Sequence, residues 1–505
     1  MNDVRPIRFL GDYINGKFVA CENPDIEWEI NSPADLKDKI IKVGAKFDHV
    51  DTACDAAKRA YLPWARLGLE GRKPYLLRLK EVFAKRGAEV AELIARETGK
   101  PLWESKTEAA ALMSKIDITL SLSMKLVETE EIKDALPGIN GYTRFNPRGV
   151  MAVLGPFNFP AHLPNGHIIP ALACGNTVVF KPSEKTSAVG QWMAECYHQA
   201  EFPAGVFNLV QGVAETGKRL SSHDHVDGIL FTGSYEVGLK IKQDTMTHFW
   251  KVLALEMGGK NATIVWKDAD LKKAVYESLI GAFMSSGQRC ACTSRLLLHK
   301  DIRDEFLEQF YAGAKRIKIG HWKDDVFMGP LISADAVEKY IRFQEIAKRE
   351  GAESLMRGKA LNLEHDGYYV TPSINIVQKY DSKSVYQKSE IFGPNVAVYT
   401  VEDFDEAMMI NGSTGFGLSG ALFTKDRTLW DRAILEARCG VLNWNRTTNG
   451  ASSKLPFGGL GKSGNDRPSG AFAVEYCSVP IASLEDMGTL GATNTMPGLQ
   501  FEWKE

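Results

Sequence analysis

No apolar run in the 505 residues approaches the roughly 20 needed to span a bilayer. The opening stretch, Met1-Asn-Asp-Val-Arg-Pro-Ile-Arg8, has no continuous apolar segment of the kind a secretory signal needs. Charge is balanced, with 61 basic against 63 acidic residues, so the basic excess of a dedicated nucleic-acid binder is missing. The eight cysteines are scattered at 21, 54, 174, 196, 290, 292, 439 and 477 rather than packed into a disulfide framework. Cys290 and Cys292 form a C-x-C pair, but no second pair and no HExxH completes a tetrahedral set, so no metal is expected. Repeats, low-complexity tracts and long flexible linkers are also lacking. What remains is a reduced, cytoplasmic protein with no membrane and no nucleic-acid partner, long enough for two or three domains.

The pattern along the chain is that of an α/β protein. Residues 12–20 read as a hairpin around Asn15-Gly16, a strong turn dipeptide. From Val50 to about Lys125 apolar residues recur at helical spacing, broken at Gly99-Lys100-Pro101. Between Arg148 and Trp266, strand candidates at Val150–Leu154, Thr177–Phe180, Val206–Val210, Gly228–Phe231 and Val252–Leu255 alternate with helix candidates. That alternation predicts parallel strands with crossover helices, an open sheet that binds ligands beyond the strands' carboxyl ends. A second α/β set follows to about Phe457, with strands near Ser294–Leu298, Tyr369–Ile374, Val396–Thr400, Ala421–Thr424 and Gly440–Asn443.

Five stretches carry chemistry. Cys290 follows Gly287-Gln288-Arg289 at the end of a helix-like run, and a thiol beyond such a turn suits a nucleophile. Glu256 ends a strand before Met257-Gly258-Gly259; a buried glutamate in a cleft has a raised pKa and can activate water. Asn158, in Gly155-Pro-Phe-Asn-Phe-Pro160, can donate to a developing oxyanion with the Cys290 N–H as second donor. In Phe231-Thr-Gly-Ser-Tyr-Glu-Val-Gly238 a strand end, Gly233 and Ser234 precede a helix whose N-terminus suits a pyrophosphate. Lys181 and Glu184, in Lys-Pro-Ser-Glu, suit a ribose, and the carboxylate favours NAD over NADP.

Together with Glu390-Ile-Phe392-Gly-Pro and Pro456-Phe457-Gly-Gly-Leu-Gly-Lys-Ser-Gly464, these stretches resemble the NAD(P)-dependent aldehyde dehydrogenase superfamily almost end to end. The resemblance implies a Rossmann-type NAD-binding domain (1–126 and 148–256), an α/β catalytic domain (257–457) and a small β oligomerisation element with a C-terminal arm (127–147 and 472–505). It implies Cys290 as nucleophile, Glu256 as general base and Asn158 in the oxyanion hole. Lys181, Glu184, Gly233, Ser234 and Gly238 would serve the cofactor, with Glu390 on the nicotinamide ribose and Phe392 beside the nicotinamide. The glutamate at 256 points to release of a free acid rather than transfer to coenzyme A. A homodimer or homotetramer acting on a small aldehyde is implied.

A narrower resemblance is to the branch that oxidises N-succinylglutamate 5-semialdehyde in arginine catabolism. It rests on Glu97-Thr-Gly-Lys-Pro-Leu-Trp-Glu-Ser105, His162-Leu-Pro-Asn-Gly-His167, Gly450-Ala-Ser-Ser453 and Ser463-Gly-Asn-Asp-Arg-Pro-Ser469. Ala161, Lys454 and Gly470-Ala471-Phe472 depart from its pattern. An acidic substrate needs cationic or hydrogen-bonding partners. Arg446 and Ser453 are the first candidates, in the loop before Phe457, with Arg289 and Lys454 after them. Within the family the runner-up is a dehydrogenase of another semialdehyde or of broad aliphatic aldehydes. From other classes the competitors are a non-catalytic protein of the same fold, which would not need Cys290, Glu256 and Asn158 together, and a cysteine hydrolase, which would want a histidine partner for Cys290.

Overall fold

Short apolar strands joined by right-handed crossovers can only close into a layered sheet with helices on its faces, and the chain does this twice. In the computed structural model, which describes residues 6–488, 496, 498 and 499, the first sheet runs in the order Val252–Glu256, Gly228–Thr232, Val150–Leu154, Thr177–Lys181, Phe207–Leu209, Asp12–Ile14, Lys17–Val19. Its first five strands are parallel and its last two antiparallel. The antiparallel edge is the expected hairpin, with Asn15 at φ 51° and Gly16 at φ 82° supplying the left-handed turn. The helices Gly68–Thr98, Leu102–Ser121, His162–Cys174 and Ser187–Gln199 cover this sheet and share its core with Trp64, Phe83, Trp192 and Tyr197.

The second sheet has the order Glu353–Met356, Ser373–Ile376, Asn395–Val401, Thr293–His299, Asn261–Val265, Ser419–Phe423, Val441–Trp444. All neighbours are parallel except the first pair. One sequence expectation is corrected here. The strand expected at Tyr369–Ile374 begins only at Ser373, after Pro372, which has no N–H to give a ladder; Tyr369 instead buries its ring and donates to the Ala34 carbonyl at 2.8 Å. The helix-like run before the Cys290 turn, read at Ala274–Met284, is the helix Leu271–Phe283.

Glu256 closes the edge strand Val252–Glu256 of the first sheet and Asn261 opens an interior strand of the second. Four residues therefore join the carboxyl end of one sheet to the amino end of the other, and the crevice between them is fixed by that short connection. A third, antiparallel sheet pairs Ser478–Glu485 with Ile139–Pro147, and Ile139–Pro147 with Glu130–Leu136, whose residues are all exposed. Most of the expected C-terminal arm beyond it lies outside the described residues. Among the described residues no helix is long and apolar enough to cross a membrane.

Candidate active site

The crevice holds a cavity of about 520 Å³, lined largely by apolar groups. It is large enough for a ring and a multi-carbon chain together. Asn158, Glu256, Cys290, Glu390, Phe392, Gly233, Ser234, Ser453, Phe457 and Arg289 all line it, although they come from widely separated segments.

The turn before Cys290 is built against local preference. Ser285, Ser286 and Gly287 follow one another at φ 54°, 55° and 71°, all left-handed. For L residues this costs roughly 1–2 kcal/mol each, and the side chains supply the offset. Ser286 Oγ donates to the Gly329 carbonyl at 2.7 Å, while Ser285 Oγ bonds Glu104 and accepts from Arg289 Nε. Asn261 then fastens the far side, donating to the carbonyls of Cys290 at 2.7 Å and Cys292 at 2.9 Å. A Cβ on Gly259 would stand 2.5 Å from the Cys290 carbonyl oxygen, and one on Gly258 2.0 Å from Glu390 Oε2. Gly259 is therefore required by close approach to backbone, whereas a side chain at Gly258 would displace the Glu390 carboxylate.

Burial, with the carboxylates of Glu390 and Glu256 nearby, pushes the Cys290 thiol up to about 12; the Ala291 N–H acts the other way. At rest the sulfur holds its proton and needs a base. Glu256 is 5% exposed; its Oε1 accepts from the Ser469 N–H at 3.3 Å, while Oε2 is buried with no partner. Burial pushes this carboxyl up to about 8, so near neutrality it exchanges protons readily. Glu390 accepts from the Gly259 N–H at 2.8 Å and is pushed by burial to about 7. The Phe392 ring meets Phe157 edge-on at 5.8 Å.

Asn158 sits over the turn before Cys290. Its Nδ2 donates one hydrogen to the Gln288 carbonyl at 3.0 Å, which leaves the second free for the cavity. Its main-chain carbonyl accepts from Lys100 Nζ at 2.9 Å. Lys100 is itself buried against Glu108, whose other oxygen accepts from the N–H groups of Ala161 and His162. Glu108 carries no sequence signal beyond a charge in a helical stretch, and Lys100 none for burial beyond its place in the Gly99-Lys100-Pro101 break.

On the cofactor side, Gly233 and Ser234 open the helix Tyr235–Asp244 at the carboxyl end of the parallel strands, and Ser234 Oγ accepts from Val237 N as its cap. Gly238 lies within that helix, where a Cβ would meet Met257 Sδ at 2.3 Å, so its smallness serves helix–sheet packing. Lys181 ends its strand with Nζ donating to the Pro182 carbonyl at 2.7 Å and 3.9 Å from Glu184. A helix N-terminus, a glycine turn and a Lys/Glu pair at the strand ends fit a dinucleotide.

The substrate candidates divide. Ser453 and Phe457 line the cavity, whereas Arg446 is exposed and outside its lining, against Gly450. Arg289 lines it but is committed, with Nη2 2.9 Å from Glu104 Oε1 and its guanidinium over the Phe159 ring. Lys454, in the same loop, is exposed as well. A carboxylate, a thiol and an imidazole do meet elsewhere, at Asp12, Cys21 and His49, three segments that spacing could not connect. Both Asp12 oxygens are used within the fold, accepting from His49 Nδ1 at 2.8 Å and Gln211 N at 2.7 Å.

Residues 19–480 match the aldehyde dehydrogenase family profile. The chain belongs to the aldehyde dehydrogenase family. It is 42% identical, over 500 residues covering 97% of this chain and 98% of the relative, to an N-succinylglutamate 5-semialdehyde dehydrogenase of Escherichia coli (strain 55989 / EAEC). Among solved structures it is similar to betaine aldehyde dehydrogenase from Staphylococcus aureus in complex with NAD+, with a TM-score of 0.90 and 29% identity over 97% of each chain. It is similar also to 1-pyrroline-5-carboxylate dehydrogenase from Thermus with bound NAD, with a TM-score of 0.88 and 29% identity, covering 94% of this chain and 92% of that one. This aldehyde dehydrogenase is thus an NAD-dependent enzyme of mixed α/β fold.

Proposed function

We propose that the enzyme oxidises N-succinyl-L-glutamate 5-semialdehyde to N-succinyl-L-glutamate, releasing a free acid, as a step of arginine catabolism. The observation that carries the chemistry is the meeting of Cys290, Glu256 and Asn158 in one cavity. The substrate rests on the 42% identity to relatives of that activity over nearly the whole chain.

Glu256 is the base that prepares Cys290. The thiolate adds to the aldehyde carbon, and the resulting oxyanion is held by the free Asn158 Nδ2 hydrogen and the Cys290 N–H. NAD, when bound, supplies the acceptor for the hydride that leaves this carbon. Glu256, once it has passed the thiol proton to solvent, takes a proton from a water that attacks the Cys290 thioester, the acid departs, and the thiolate is restored. Gly233, Ser234 and Gly238 shape the phosphate end of the cofactor groove. Lys181 and Glu184 address one ribose, Glu390 the other, and Phe392 flanks the nicotinamide.

In this reading residues 1–126 with 148–256 form the NAD-binding domain and 257–457 the catalytic domain. Segments 127–147 and 472–505 form the oligomerisation element of a cytoplasmic homodimer or homotetramer. The test is NADH formation by the purified protein with NAD and a panel: N-succinylglutamate 5-semialdehyde, succinic semialdehyde, glutamate semialdehyde and a neutral aliphatic aldehyde. Preference for the succinylated compound supports the proposal. Preference for another retains the Cys290 chemistry and discards the substrate, and silence across the panel discards both.

A further inference from the structure

A buried ammonium is stable only beside groups that compensate its charge. Most of the cavity's basic groups have such groups. Arg289 is paired with Glu104, and Lys339 acts on the Glu390 carboxyl. His167 is hydrogen-bonded at both nitrogens, to Tyr476 Oη at 2.7 Å and Thr232 Oγ1 at 3.2 Å, and burial pushes its pKa down to about 3, so it is neutral. Lys115 is different. It lies on the helix Leu102–Ser121, is 1% exposed and lines the cavity. Its Nζ donates to the Gly470 carbonyl at 2.6 Å, and among the described residues no carboxylate lies within ion-pair distance.

The surroundings of Lys115 are shaped to receive something. His162, also on the cavity wall, keeps Nδ1 buried with no hydrogen-bond partner. One turn further along the helix His162–Cys174, on the same face, is Gly166, which lines the cavity too. A Cβ built on it would meet nothing within 4 Å, so space stays open at that point. The Lys115 charge is felt at both His162 and His167. An uncompensated cation, an unsatisfied ring nitrogen and an open wall therefore share the chamber that holds Cys290.

We infer that Lys115, with His162 beside it, is the subsite that takes a carboxylate of the aldehyde substrate. The inference rests on the acidic-aldehyde reading above, and it replaces Arg446, which lies outside the cavity. A charge-assisted hydrogen bond in such a setting is worth roughly tenfold to a hundredfold in binding.

The experiment compares kcat/KM for N-succinylglutamate 5-semialdehyde and for its uncharged dimethyl ester in wild type, Lys115→Met, Lys115→Arg and His162→Gln. The acid-to-ester ratio is expected to fall about tenfold or more in Lys115→Met, through KM for the acid, and to recover in part in Lys115→Arg. Equal losses on both substrates would make Lys115 a support for the Gly470 loop and overturn the assignment, as would an unchanged ratio. A wild type with no preference for the acid overturns the substrate reading and this inference together. A wild type that prefers the acid, with Lys115→Met preferring it equally, overturns this inference alone. Should Lys115→Met fail to fold, the ratio is read from Lys115→Arg and His162→Gln; wild-type ratios in both overturn the subsite.

Discussion

Lys100, just before the helix Leu102–Ser121, and Glu108 within it form a buried ion pair, 2.6 Å from Nζ to Oε2, against the Asn158 loop. The pair does more than neutralise itself. Lys100 also holds the Asn158 carbonyl, and Glu108 holds the N–H groups of Ala161 and His162. Two charges thus fix both ends of the loop that carries a proposed catalytic amide and a proposed substrate contact.

Glu108→Gln should therefore harm stability and catalysis together. Removing one partner leaves a buried charge alone, which costs about 3–5 kcal/mol. Denaturant unfolding should show that loss, and kcat should fall in the fraction that remains folded. A variant as stable as wild type would show that solvent or other groups already compensate Lys100.

Asn158→Ala removes one of the two proposed oxyanion donors while leaving the proposed cofactor groove untouched. The expected outcome is a fall in kcat of about 10²–10³-fold with little change in KM for NAD. Steady-state kinetics with each substrate varied in turn will check it. A loss confined to KM would assign the amide to substrate binding.

The Glu256 carboxyl, pushed up to about 8 by burial, sets a pH dependence. A base works in its deprotonated form, which grows as pH rises through that value. Turnover should accordingly climb from pH 7 to 9 in the wild type. Glu256→Gln, with no proton to lose there, should be slower by roughly 10²–10⁴-fold and should lack the rise. A wild-type profile flat across that range would remove Glu256 as the base.

The two neighbouring thiols should behave oppositely. Cys292 is buried 3.9 Å from the Met284 carbonyl, while Cys290 lines the cavity. Cys290→Ala should yield no NADH, and Cys292→Ala should retain turnover. Mass spectrometry after incubation with aldehyde and NAD should place any acyl adduct on the peptide only when Cys290 is intact.

Local rules made much of this legible in the sequence. Asn15-Gly16 demands a left-handed turn, the strand–helix alternation demands parallel sheets, and the glycines at 258 and 259 mark a close approach that the structure makes explicit. Lys115 and the Lys100–Glu108 pair were hidden because a charged residue in a helical stretch reads as a solvated face. Their burial is decided by what folds over them from elsewhere in the chain, the Asn158 loop over the pair and Gly470 over Lys115. Arg446 misled for the converse reason: an arginine in a cavity-side loop suggests a fork, but whether its side chain enters the cavity is a tertiary matter. The turn at Ser285 and Ser286 was illegible because serine carries no preference for positive φ, and only long-range anchors on Glu104 and Gly329 hold it there.

That turn has a dynamic consequence. A segment wound against its intrinsic preference relaxes as soon as its anchors let go, so its opening free energy should be far below that of the sheets on either side. Amide exchange at Gln288 and Cys290 should outpace exchange in Asn261–Val265 and Thr293–His299. Each such excursion should carry Cys290 away from Asn158, so that turnover pauses while the molecule as a whole stays folded.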